Sequence, residues 1–185
     1  MPKMITILDK LLSNFRNPTS SWQYMGQQNL TYDLRSQAIN GYCLNSRLEL
    51  AAQFGKCSYV KRAGKEFLDL FYPDSGLILQ FAAEELMAIT AIVSVDSFHV
   101  KEDKMSVGKF SIIDISGRFH SLNEGSTLQD LISYLGEPFE SGKVGNDMVH
   151  TFIIQKNLIN SYHNPLTGRL LHIEICEPDE NFTQN

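Results

Sequence analysis

No apolar run in this 185-residue chain approaches the roughly 18 residues that a membrane-spanning helix needs. Cysteine is scarce. Cys43, Cys57 and Cys176 are an odd number without CxxC spacing, which excludes a disulfide framework and a zinc knuckle and predicts reduced, mostly buried thiols. Positive charge is in the minority, 16 Lys+Arg against 21 Asp+Glu, for a net charge of -5. A general nucleic-acid binder needs a basic face to displace counterions, so that class is set aside. No two histidines stand at the i,i+4 spacing that places two metal ligands on one helix face. Gly142-Lys-Val-Gly145 fits neither a phosphate-binding loop nor a dinucleotide fingerprint and reads as a solvated loop. Near the start, the apolar run Ile5 to Leu8 is broken by Asp9 and Lys10, shorter than a secretory h-region requires. With the unpaired cysteines, this predicts a cytoplasmic protein.

What is present is ordinary for a folded chain, with 43% hydrophobic and 20% charged residues. Ile5, Leu8, Leu11, Leu12 and Phe15 recur at helical spacing and predict an amphipathic helix stopped before Pro18. Residues 17–31 are rich in turn formers and read as a connection, and Lys101-Glu-Asp-Lys104 reads as a surface loop.

The most informative pattern is an internal repeat at an offset of 81. Leu50 aligns with Leu131, Phe54 with Leu135, Gly55 with Gly136, Leu68 with Val149, Phe71 with Phe152 and Phe81 with Tyr162. In the second copy a hydroxyl residue of Gly125-Ser-Thr caps a helix whose stripe is Leu128, Leu131, Ile132 and Leu135, and Gly136 and Pro138 stop it. Strands follow at about 147–155, 157–163 and 169–176. In the first copy the helix is about 45–54 and the strands about 66–72, 76–82 and 86–95, and a further strand is expected at 110–115. The expected fold class is therefore α+β, with two tandem α-β-β-β units sharing or abutting one antiparallel sheet. The chain divides into an N-terminal helix and connection (1–32), unit 1 (33–100), unit 2 (101–176) and an acidic tail (177–185).

The string Gly125-Ser-Thr-Leu-Gln-Asp-Leu-Ile-Ser-Tyr-Leu-Gly-Glu-Pro138, followed by strands and Thr167-Gly-Arg-Leu-Leu-His-Ile173, resembles the repeat of β-lactamase-inhibitor-like proteins. Small outer-membrane assembly lipoproteins and some bacteriocin or toxin immunity proteins are similar. The first copy departs from the motif, with Lys56-Cys57 where it has x-Pro. The resemblance implies a protein-binding scaffold that presents a free sheet face.

Strand alternation proposes where that face lies. If Leu171, Ile173 and Ile175 face the helices, then Leu170, His172, Glu174 and Cys176 face away. Tyr72, Tyr162, His172 and Glu174 are the candidate partner-binding residues. The leading expectation is a non-enzymatic immunity- or inhibitor-type protein for a protein partner such as a basic toxin or enzyme, with no cofactor or metal. The alternative is a small-molecule binder or enzyme using a cleft between the units, with His150, His163 or Cys57 involved. Strand spacing leaves open whether His150, His163 and His172 cluster. A third reading is a homodimer formed through the free sheet faces or the Ile5–Phe15 helices.

Overall fold

The computed structural model describes residues 17–64 and 66–177. The Ile5–Phe15 helix and all but the first residue of the 177–185 tail lie outside the described residues.

The α+β expectation is overturned, because strands dominate. Among the described residues, thirteen strands form one sheet of five and one of eight. The first sheet has the order β3-β2-β1-β8-β9. Its strands are β1 (Asn29–Asp33), β2 (Ala38–Ile39), β3 (Tyr42–Cys43), β8 (Lys109–Ile113) and β9 (Phe119–Leu122). The second sheet joins two four-stranded meanders. One is β4 (Tyr59–Ala63), β5 (Phe67–Tyr72), β6 (Leu77–Ala82) and β7 (Glu85–Ile92). The other is β10 (Glu140–Val144), β11 (Asp147–Ile154), β12 (Asn157–His163) and β13 (Leu170–Cys176). The meanders meet where β7 and β13 pair antiparallel, with Glu174 opposite Thr90.

Helices are minor. The expected helix at 45–54 is a 3₁₀ helix, Leu48–Phe54. Its inward residues Leu48, Ala51 and Phe54 are spaced by three, the repeat at which 3₁₀ side chains eclipse. The α-helices are α1 (Phe98–Glu102) and α2 (Leu128–Leu135). Neither is long enough to roof an eight-stranded sheet. The five-stranded sheet does most of that work, and one apolar core joins both sheets through residues such as Tyr32, Phe110, Phe81, Phe152 and Ile173. β1 and β8 pair parallel, from Asn29 opposite Lys109 to Asp33 opposite Ile113. Parallel neighbours need a long crossover, and here the whole first meander supplies it.

The start of α2 is closed by a capping box. Thr127 N–H donates to Asp130 Oδ2 at 2.7 Å, and the Asp130 N–H donates to Thr127 Oγ1 at 3.3 Å. Thr127→Ala is expected to cost about 1 kcal/mol. Thermal unfolding checks this, with Thr127→Ser expected to recover most of the loss.

Candidate functional site

Cross-strand neighbours share a sheet face, so the registers assign every side chain of the eight-stranded sheet. One row of neighbours crosses all eight strands away from the core. It runs from Tyr59 on β4 through Thr90 and Glu174 at the centre to Glu140 on β10. On one side of it lies the row of Lys61, Asp69, Gln80, Ala88, Cys176 and Leu158, and on the other lie Ile92, His172, Tyr162 and Val149.

One end of this outer face is covered by the strap of residues 97–105. Met105 and Val100 pack on Phe71, Ile78 and Ile92, and Tyr59 stacks on Phe71 with ring centroids 4.5 Å apart. Asp103 pins the strap. One oxygen pairs with Lys61 and the other accepts from His99 Nδ1 at 2.7 Å, while the Tyr59 hydroxyl donates to the Asp103 carbonyl. Burial works to raise the Asp103 pKa, but Lys61 and His99 outweigh it and hold the carboxyl below its usual range.

Under the strap sits His172, only 2% exposed. Tyr162 stacks on it at 4.1 Å, and Phe98 and His99 meet it edge-on at 5.9 and 5.0 Å. Its Nδ1 lies 3.2 Å from Ser97 Oγ. Burial pushes its pKa down to about 3, with His99 and His163 adding charge repulsion. The Tyr162 hydroxyl donates to Glu174 Oε2 at 3.0 Å. Burial first, then the Glu174 charge, raises the Tyr162 pKa.

Three of the four sequence candidates therefore share one face. Tyr162 and Glu174 are partly exposed on it, and His172 lies on it beneath the strap. Tyr72 does not belong with them. It lies on the core face, is 6% exposed, and packs against Phe54 at 6.2 Å. Leu170 was also expected to face outward. A register shift at Tyr162/His163 reverses the alternation there, and Leu170 is in the core.

The histidines divide between the faces. His150 and His163 lie on the core side, where their rings meet at 5.2 Å. Ser141 Oγ lies 2.7 Å from His150 Nδ1, and His163 is bracketed by Ser161 Oγ and the Gly168 carbonyl, both at 3.1 Å. His172 is on the opposite side of the sheet, so the three do not form one grouping. Among the described residues no cluster of three or more His, Cys, Asp or Glu is arranged to hold a metal ion. Nor does the strap chain a serine, a histidine and a carboxylate in series. Ser97 touches His172, Asp103 holds His99, and Ser97 is fully buried. Cys57 is buried, contacts Thr19 Oγ1 at 3.3 Å, and has its pKa raised by burial, which makes it an inert thiol.

The sequence reading missed the strap residues Ser97, Phe98, His99 and Asp103. One signal was available, since His99 and Asp103 stand four apart in a stretch that forms a helical turn. A second histidine-aspartate contact, His120 Nε2 on Asp114 Oδ2 at 2.8 Å, ties β9 to the turn after β8. Asp114 also accepts from Ser116 Oγ and the Arg118 N–H.

No protein-family model matches the chain, and no curated protein matches it. Among solved structures it is similar to a DUF4309 family protein, YjgB, from Bacillus subtilis. The TM-score is 0.49 with 14% identity, over 91% of this chain and 97% of that one. It is also similar to an extracellular protein containing an SCP domain from Bacillus anthracis. There the TM-score is 0.46 with 10% identity, over 76% of this chain and 46% of that one.

Proposed function

We propose that this chain is a non-enzymatic binding protein whose outer sheet face receives a basic protein partner. The observation that carries the reading is the charge of that face. Among the described residues its strand positions include five carboxylates, Asp69, Glu85, Glu140, Asp147 and Glu174, against the one ammonium of Lys61, which Asp103 already neutralises. Tyr162, Asn160, Thr151 and Gln80 interleave with these charges as partly exposed hydrogen-bonding groups. A broad acidic surface with aromatic and amide groups supplies steering and orientation for a cationic partner. The immunity- or inhibitor-type role, in which binding occludes the partner, rests on the sequence resemblance. The reading also keeps the chain in a reducing compartment, where its three free cysteines persist as thiols.

The test is co-purification from the native host at low salt, comparing the full chain with Glu174→Lys and Asp69→Lys. The expected result is a stoichiometric basic protein retained by the wild type, released as salt rises, and lost from both variants by about tenfold or more. Glu124→Lys, exposed and off this face, should retain it. Equal retention by all four proteins would move the binding surface elsewhere.

A further inference from the structure

The geometry points to a ligand site on the opposite side of the sheet, for a small zwitterion that carries an apolar side chain, such as an apolar amino acid. On the core face, Arg62 of edge strand β4 lies opposite Leu68, Leu68 opposite Phe81, and Phe81 opposite Leu86. The inner end of this row is sealed into the core. The outer end opens into a groove of about 370 Å³ walled by Leu48, Leu68 and Phe81, with Arg62, Glu66 and Glu84 as its charged groups. That volume falls within the range of small-molecule sites.

Arg62 is the anomaly in the groove. Its Nε is buried and has no hydrogen-bond partner among the described residues. Among the described residues the guanidinium makes no ion pair, although two glutamates line the same groove. A guanidinium cannot shed its proton, and a buried donor is almost always met by protein, water or ligand. Its planar fork matches a carboxylate.

Backbone bonds fix the main chain that carries the two exposed glutamates. The Ala83 N–H donates to the Glu66 carbonyl and the Leu48 N–H to the Glu84 carbonyl, both at 2.9 Å. Their carboxylates repel a simple anion but attract an ammonium group. A cation at the edge of the sheet, carboxylates at the strand ends and an apolar wall match the three parts of an apolar amino acid.

Isothermal titration of the full chain with phenylalanine, 3-phenylpropionate and phenethylamine separates the parts. Phenylalanine should bind, with each single-charge analogue weaker by about tenfold or more. Arg62→Met should lose phenylalanine binding by a similar factor. Arg62→Lys, which keeps the charge without the fork, covers the case in which the methionine variant does not fold, and it too should weaken binding. The pair Glu66→Gln with Glu84→Gln should bring phenylalanine and 3-phenylpropionate to within about threefold of one another. No heat from phenylalanine at millimolar concentration, or equal binding by wild type and both Arg62 variants, would overturn the site. Equal wild-type affinity for phenylalanine and 3-phenylpropionate would overturn the zwitterion.

Discussion

Gly108→Ala is expected to destabilise the protein by about 3 kcal/mol and to lower its melting temperature by about 10 °C. The reason is backbone crowding where the chain leaves the strap and returns to the five-stranded sheet. A Cβ on Gly108 would stand 2.1 Å from the Ser75 carbonyl oxygen, and one on Gly76 would stand 2.4 Å from the Gly108 nitrogen. Neither obstacle is a side chain that can rotate away. The same crossing is tied by the Gly108 N–H to the Ile92 carbonyl and the Ile92 N–H to the Gly76 carbonyl, both at 2.8 Å. Making room for a methyl group therefore strains these bonds as well. Gly76 adds a left-handed backbone, φ +62°, that disfavours any other residue there. The control is Gly142→Ala on exposed β10, where a Cβ meets nothing within 4 Å, expected within about 0.5 kcal/mol of wild type. A Gly108→Ala protein that melts with the wild type would show that the crossing gives way without loss.

The second large effect is loss of stability in mild acid, well before ordinary carboxylates titrate. Burial lowers the His172 pKa in the folded state to about 3, while the unfolded chain keeps the ordinary imidazole value of 6.5. Between those values the unfolded state binds a proton that the folded state refuses. Stability is therefore fully present above pH 6.5 and falls as pH drops toward 3, by up to about 1.4 kcal/mol per pH unit. His163 and His150, both lowered by burial, act in the same direction. Asp103 and Asp114, also lowered, contribute separately and only below the usual carboxylate range. Urea midpoints measured from pH 7 to pH 4 should fall steadily. His172→Phe keeps a ring between Tyr162 and Phe98 and should flatten the slope by about one proton's worth. An unchanged slope would mean that the strap opens and hydrates the imidazole before it titrates.

The tyrosine, histidine and glutamate on the outer face were legible in part because β12 and β13 keep a strict period of two over Leu158–Tyr162 and His172–Cys176. Parity alone placed His172 and Glu174 together. It failed at Leu170, because a single irregularity flips every side chain beyond it and leaves no mark in composition. Tyr72 was misplaced for a related reason. Phe71 and Tyr72 are both buried, one on each face, so neither hydrophobicity nor aromaticity tells which faces outward. Arg62 was unreadable as well, since its role depends on what the far ends of β5 and β6 place beside it.

Strong periodicity in the amino-acid order marks the local elements. β5, β6, β11, β12 and β13 lie within a residue or two of where alternation and turn formers put them, and Thr127 caps α2 in a stretch with the right chemistry. Weakly patterned strands were lost. β10 is exposed along its whole length, so no apolar alternation marks it, and the glycine-bearing segment taken for a loop is an edge strand. β2 and β3 are two residues each. That a second sheet, rather than helices, covers the core face follows from long-range pairing alone. That choice depends on β1 pairing with β8 across the whole first meander, and a contact so distant along the chain has no local signature. The same long-range geometry leaves the acidic outer face open beside the strap and opens the Arg62 groove on the core side, and that groove came into view only with the fold.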